Sequence, residues 1–364
     1  MIPFLDLRAG YRELKTEIDE AVGRVLESGQ YILGAEVDAL EREWAAYCDT
    51  RYAVGVASGL DALTLALRSV DVGPGDEVIV PSNTFIATWL AVTSLGARPV
   101  PVEPNPDTYN MDPQTVTEAI TSATRAVVPV HLYGQPADLD PIIGIARQHG
   151  ISVVEDAAQA HGASYRGRRI GGHGDVVCWS FFPGKNLGAF GDGGAITTNR
   201  ADLDDRLRML RNYGSREKYV NEIRGVNSRL DPLQAAILRV KLKHLDDWTN
   251  RRRATAAAYS QGLAHTALGL PCEPEWARSA WHLYVVRSRE RDVLKARLTA
   301  AGVGTLIHYP IPPHMQKAYS YLGYSPKDLP IASKLAAEVL SLPIGPQLGR
   351  HDRHRVIEII AGAL

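Results

Sequence analysis

Val176-Val177-Cys178-Trp179-Ser180-Phe181-Phe182-Pro183-Gly184-Lys185-Asn186-Leu187-Gly188 is the stretch that decides the fold. Val176 to Trp179 form a short β-prone run, and Pro183-Gly184 stops it and turns the chain. Lys185 therefore stands just past a strand end. In an open α/β sheet that is where ligands bind, and a lysine in a partly dry crevice has a lowered pKa and attacks carbonyl carbons. Taken alone, the segment also reads as a strand followed by a solvated loop lysine.

Outward from it, Ile151-Ser152-Val153-Val154-Glu155 reads as a buried parallel strand ending in Asp156-Ala157-Ala158-Gln159-Ala160-His161-Gly162. Asp156 falls at a strand's carboxyl end. A carboxylate there pairs with the protonated ring nitrogen of pyridoxal phosphate, keeping the ring able to accept electrons. A helix N-cap is the plainer reading of the same aspartate. Gln159, one helical turn on, reaches toward the ring's phenolic oxygen. Further upstream, Tyr52 to Val56 resembles a strand, Ala57-Ser58-Gly59-Leu60 a tight connection, and Asp61 to Leu67 the start of an apolar helix. Free N–H groups and the helix dipole favour an anion at that start, and Ser180 adds a hydroxyl five residues before Lys185.

Together these segments resemble the DegT/DnrJ/EryC1/StrS-type nucleotide-sugar aminotransferases of the fold-type I pyridoxal phosphate superfamily. The resemblance spans nearly the whole chain. Its marks are Ile2-Pro3-Phe4-Leu5-Asp6-Leu7, Ser58-Gly59-Leu60-Asp61-Ala62-Leu63, Pro81-Ser82-Asn83-Thr84-Phe85, Glu155 to Gly162, and the lysine segment continuing to Gly191-Asp192-Gly193-Gly194. It implies that Lys185 forms the imine with the cofactor, Asp156 pairs with the ring nitrogen, Gln159 contacts the phenolic oxygen, and Ser180 with the Gly59-Leu60 turn binds phosphate. The resemblance also implies that Phe85 stacks on the ring, whereas the residue alone reads equally as a core aromatic. Many relatives carry threonine where this chain has Leu60, so backbone donors must suffice there.

The likeness is closest to the branch that aminates carbon 3 of a dTDP-linked 3-keto-6-deoxyhexose. Tyr31-Ile32-Leu33-Gly34 and the run His308-Tyr309-Pro310-Ile311-Pro312-Pro313-His314 carry it. Three prolines in that run exclude a helix and stiffen an extended segment presenting His308 and Tyr309 to a polar ligand. By position in the family, the polar loop from Arg211 to Arg229 crosses a two-fold dimer interface. Asn227 then reaches the neighbouring subunit's cofactor phosphate, while Lys218, Tyr219 and Arg229 line its sugar or diphosphate pocket. The related sugar dehydratases have histidine in place of the lysine, and this chain keeps Lys185. The expected reaction is therefore transamination from L-glutamate in a homodimer with shared sites. A 4-keto nucleotide sugar as acceptor, and a non-catalytic regulatory protein that keeps the cofactor site, are the alternatives.

With 364 residues, 45% of them apolar and 22% charged, the chain can bury the cores of two domains. The net charge of -1 gives no global attraction to nucleic acid or membrane. No apolar run reaches membrane-spanning length and no basic region precedes an apolar start, so a cytoplasmic enzyme is expected. Cys48, Cys178 and Cys272 lie far apart and read as small packed hydrophobes, and His131, His173 and His314 lack partners at metal-ligand spacing, so no metal site is expected. His161 reads as structural. Strand-like runs at 78–80, 98–102 and 126–130 alternate with helices, predicting an α/β architecture of the aspartate aminotransferase type. Its large domain, residues 1–247, carries a mostly parallel mixed sheet. A long helix from Leu233 to Leu245 leads out of it into a smaller α+β domain, residues 248–364, where Arg251-Arg252-Arg253 reads as a solvated helix face.

Overall fold

Short apolar runs bounded by Gly, Pro and Asp become the strands of a central sheet in the computed structural model, which describes residues 1–362. The large sheet contains β1 (Tyr52–Val56), β2 (Glu77–Pro81), β3 (Arg98–Val102), β4 (Thr124–Val127) and β5 (Ser152–Asp156). After the small strands β6 (Ser164–Tyr165) and β7 (Arg168–Arg169) it is completed by β8 (Val176–Ser180) and β9 (Gly194–Thr198). The order is β1-β9-β8-β5-β4-β2-β3. Every neighbouring pair from β8 to β3 is parallel, whereas β9 runs antiparallel to both β8 and β1. Pro99 and Pro101 lack the N–H that a central strand needs, and their strand β3 occupies the sheet edge.

The two faces of the sheet feed two cores. Along β8, Val176 and Cys178 point into a cluster with Leu63, Leu67 and Trp89, while Val177 and Trp179 point into another with Trp44, Phe181 and Leu238. That alternation is the period of two expected of a strand covered on both sides. The strand directions put the carboxyl ends of β1, β5 and β8 at the same edge of the sheet, with β9 between β1 and β8 and the helix Gly59–Ser69 starting just beyond β1.

A second unit is built on β11 (Tyr284–Arg287) paired antiparallel with β12 (Val339–Leu342), while β10 (Ala277–Arg278) extends the small sheet of β6 and β7. The amino terminus joins this unit. Ile2 donates its N–H to the Gly302 carbonyl, accepts from Gly304 N–H, and packs with Tyr259, Leu298 and Val303. The 247/248 division falls inside the helix Leu245–Gly262, which packs Trp248 against Ile18 and Ile237 at one end and Tyr259 against Tyr284 at the other.

Several expectations are corrected. The helix read from Leu233 to Leu245 ends at Leu242, and a turn at Lys243 and His244 separates it from the next. Arg252 is no part of a solvated face: it is 3% exposed, and its guanidinium caps the carbonyls of Trp281, His282 and Ile344. Cys272 is exposed rather than packed, its Sγ directed at the Asp107 carbonyl, whereas Cys48 and Cys178 are buried. The proline run is not one extended segment: the chain bends at His308, Pro310 and Ile311 and closes in a single 3-10 turn, Pro313–Met315.

Behind β1 lies a buried ionic clamp. Glu41 is 6% exposed, accepts the Gly55 N–H at 2.8 Å and pairs with Arg208 and Arg211, and Arg211 also donates to the Gly55 carbonyl. Removing one partner strands a buried charge. Glu41→Ala is therefore expected to destabilise the fold by about 3–5 kcal/mol, read as a lower denaturant midpoint with an unchanged slope. A change under about 1 kcal/mol would mean the two arginines find water instead.

Candidate active site

The first turn of the helix Gly59–Ser69 supplies the anion-binding corner. Ser58 caps it by accepting the Asp61 N–H at 3.1 Å, which leaves the N–H groups of Gly59 and Leu60 without intrahelical acceptors. A Cβ on Gly59 would meet Ser180 Cβ at 2.6 Å, so only glycine lets the helix start approach the end of β8. Ser58, Gly59, Leu60 and Ser180 all line a cavity of about 620 Å³.

Asp156 ends β5 and opens into the same cavity. Its Oδ1 accepts Ala158 N–H at 3.1 Å, and its Oδ2 accepts the Thr88 hydroxyl at 2.9 Å. Because that hydrogen is committed, Thr88 accepts in turn from Thr84 at 2.9 Å. Burial raises the carboxyl above its usual range, opposed by Ala158, Thr88 and the charge of Lys185. Such a carboxylate has too few cationic partners, and a protonated ring nitrogen would supply one.

Lys185 sits half-buried on the cavity wall, where Lys185 N–H closes a turn onto the Phe182 carbonyl. Burial lowers its amine to about 8, against the opposing pull of Asp156. The turn is bolted on both sides. Lys241 donates to the Gly188 carbonyl, Gln234 accepts the Phe190 N–H at 2.7 Å, and Asn186 donates to the Ala280 carbonyl at 2.9 Å.

Gln159 is held at both ends. Its Oε1 accepts Tyr133 N–H at 2.6 Å, and its Nε2 donates to the Tyr309 hydroxyl at 3.1 Å, leaving one amide hydrogen for a ligand. His308 bonds Ser341 through Nδ1 at 2.8 Å and accepts the Tyr133 hydroxyl on its carbonyl. Phe85 is 52% exposed at the cavity rim, its ring 5.3 Å from that of Tyr309. Together the corner, the carboxylate, the amine and the Phe85 ring form a cradle whose donor set can hold pyridoxal phosphate.

The sequence-derived residues thus fall into two groups. Gly59, Leu60, Phe85, Asp156, Gln159, Ser180, Lys185, His308 and Tyr309 line one cavity. Lys218, Tyr219, Asn227 and Arg229 do not line it. Lys218 lies 5.1 Å over the Tyr219 ring, Tyr219 is 86% exposed, Asn227 is exposed, and Arg229 bonds Asn212 at 3.0 Å. Thr84, Thr88 and His282 also belong to the site, and no sequence signal points to them, because the contact of Thr88 with Asp156 bridges 68 positions. His161 is buried among Trp44, Trp179 and Phe181, and burial lowers it to about 3, so it is neutral.

The DegT/DnrJ/EryC1/StrS aminotransferase family model matches residues 12–361. The chain is 56% identical to a dTDP-3-amino-3,4,6-trideoxy-alpha-D-glucose transaminase of Streptomyces venezuelae, covering 99% of this chain and 95% of that protein. It is also 56% identical to the erythromycin biosynthesis sensory transduction protein EryC1 of Saccharopolyspora erythraea, with 100% of both chains covered. The crystal structure of S. venezuelae DesV with a ketimine intermediate superposes with a TM-score of 0.98 at 56% identity, covering 100% of this chain and 98% of that one. With the match running the length of the sequence and of the fold, the chain belongs to the DegT/DnrJ/EryC1/StrS aminotransferase family.

Proposed function

We propose that this aminotransferase binds pyridoxal phosphate, takes the amino group from L-glutamate, and delivers it to carbon 3 of a dTDP-linked 3-keto-6-deoxyhexose. The observation that carries the reading is Lys185, an amine lowered to about 8, on one cavity wall with the Asp156 carboxylate and a helix start. The carbon-3 assignment is supported by the S. venezuelae relative, whose named product bears its amine there and lacks oxygen at carbons 4 and 6. The carbon 2 hydroxyl is then the one hydroxyl adjacent to the reacting carbon in that sugar.

When bound, pyridoxal phosphate supplies an electron sink and carries the amino group between donor and acceptor. The chain's own residues do the rest. Gly59 and Leu60 N–H with the Ser180 hydroxyl bind the phosphate. Asp156, oriented by Thr88 and Ala158, holds a proton at the ring nitrogen, and the free Gln159 hydrogen is directed to the phenolic oxygen. Phe85 covers the ring and excludes water. Lys185 Nζ moves the proton between the reacting carbon and the cofactor, a task for which a neutral amine near pH 8 is suited.

The protein acts as a homodimer in this proposal. Leu60, Phe85, Leu90 and Phe182 line the cavity yet stay 36%, 52%, 37% and 57% exposed in the single chain, an apolar rim that a second copy would cover. The loop bearing Lys218, Tyr219 and Asn227 then serves the partner's cavity. Among the described residues no helix is long and apolar enough to cross a membrane.

Mixing purified holoenzyme with L-glutamate is expected to convert the aldehyde form of the cofactor to the amine form, followed by absorbance. Supplying matched 3-keto and 4-keto dTDP-sugars to the amine form then locates the new C–N bond by NMR. Amination of the 4-keto sugar alone overturns the carbon-3 assignment. A cofactor spectrum unmoved by amino acids or amino sugars favours the non-catalytic regulatory reading, which the name of the Saccharopolyspora relative raises.

A further inference from the structure

One polar group on the cavity wall has no part in the chemistry above. His282 lines the cavity beside Lys185, between the apolar side chains of Leu283, Leu306 and Ile344. Its tautomer is fixed by its neighbour. Asn186 commits its amide nitrogen to the Ala280 carbonyl at 2.9 Å, so the atom facing His282 Nδ1 at 3.2 Å is the Asn186 carbonyl oxygen. Nδ1 must carry the hydrogen, and Nε2 is left as a lone-pair acceptor. Among the described residues nothing hydrogen-bonds that Nε2. Burial, with the positive charges of Lys185 and Arg252 nearby, holds the ring well below its usual pKa, and it stays a neutral acceptor.

The backbone under it is built to hold one position. Trp281 has a left-handed φ of 47°, a conformation that is strained for a non-glycine residue and recurs at ligand sites. That turn sends the Trp281 ring into the core against Tyr284, 5.6 Å away, and His282 into the cavity. Arg252 holds the His282 carbonyl at 3.3 Å, and Gly134 passes so close that a Cβ there would lie 2.8 Å from His282 N. Asn186 follows Lys185 directly, so the acceptor is tied to the residue that must reach the reacting carbon.

A lone acceptor on an apolar wall loses its water when a sugar enters, and it is then costly unless the sugar donates a hydrogen. We infer that His282 Nε2 accepts the hydrogen bond of the sugar's carbon 2 hydroxyl and selects substrates that carry it. This rests on the proposed 3-keto sugar reading, with carbon 4 free of oxygen as in the product named for the S. venezuelae relative, which leaves carbon 2 the one hydroxyl beside the reacting carbon.

The test runs the sugar half-reaction in reverse, where the amino sugars are the reagents. Aldehyde-form holoenzyme is mixed with a dTDP-3-amino-3,4,6-trideoxyhexose or its 2-deoxy analogue, and appearance of the amine form is followed as a function of sugar concentration. The wild type is expected to favour the hydroxylated sugar about tenfold to a hundredfold in rate over dissociation constant. In His282→Leu that preference collapses toward one, and in His282→Gln, which restores an acceptor, part of it returns. Because the comparison is a ratio within each protein, a loss of folded material does not move it. The same preference in all three proteins, or none in the wild type, overturns the role of His282. Failure of the wild type to react with either 3-amino sugar, while a 4-amino sugar reacts, removes the carbon-3 reading and this inference with it.

Discussion

Lys185→Ala is expected to lower amino transfer by about 10⁴-fold or more while the protein still folds and still takes up cofactor without a covalent bond. The argument is local. Among the residues on the cavity wall, Lys185 alone offers a primary amine, and the neighbouring histidines are held neutral by burial. Lys185→Arg is expected to rescue nothing, because a guanidinium stays charged and cannot act as a base. Absorbance with glutamate in single-turnover mode reads the loss, and retention of activity within about tenfold of the wild type would remove the proposed role.

The same lysine predicts a pH dependence. The neutral amine is the form that attacks the cofactor aldehyde, so capture by cofactor-free protein is expected to climb about tenfold per pH unit and level off above about 8. A plateau delayed toward 10.5, the ordinary lysine value, would mean that the amine is fully hydrated. Stability follows the opposite proton count. Lys185 and Lys241 are both lowered to about 8 by burial, so between about 8 and 10.5 the unfolded chain binds more protons than the folded one. Cofactor-free protein is therefore expected to gain stability as pH rises through that window.

Much of this was legible because it is local in sequence. The strands before Asp156 and Lys185 announce themselves as apolar β-branched runs, and proline, glycine or aspartate marks where each ends. Strand β9, Gly194 to Thr198, escaped because a short buried run without alternation carries no directional signal, and its antiparallel course is set by β8 and β1 on either side. Arg252 read as solvated because its sequence neighbours are charged. Three backbone carbonyls from residues 281, 282 and 344 converge on it, and nothing near position 252 records them. His282 was hidden for the same reason: its partner Asn186 is nearly a hundred residues away, and a left-handed Trp281 has no signature in composition.

The split among the site residues has a testable consequence. Asn227 stands outside the cavity of its own chain, and Ser228 beside it is locked to Asp61 at 2.8 Å and to Ala57 N–H at 3.1 Å, so the segment is anchored to the phosphate-side helix yet turned away from it. If Asn227 completes the partner's phosphate corner, Lys185→Ala and Asn227→Ala damage different halves of each shared site. A dimer with one subunit of each kind then has one site with both lesions and one with neither. Mixing equal amounts under subunit exchange makes half the dimers mixed, and activity at limiting cofactor is expected to return to about a quarter of the wild type. Relative to the Lys185→Ala parent that is a gain on the order of a thousandfold or more. Activity equal to the average of the two parents means each subunit supplies its own phosphate contacts, and the proposed sharing of sites is then wrong even if the protein proves dimeric.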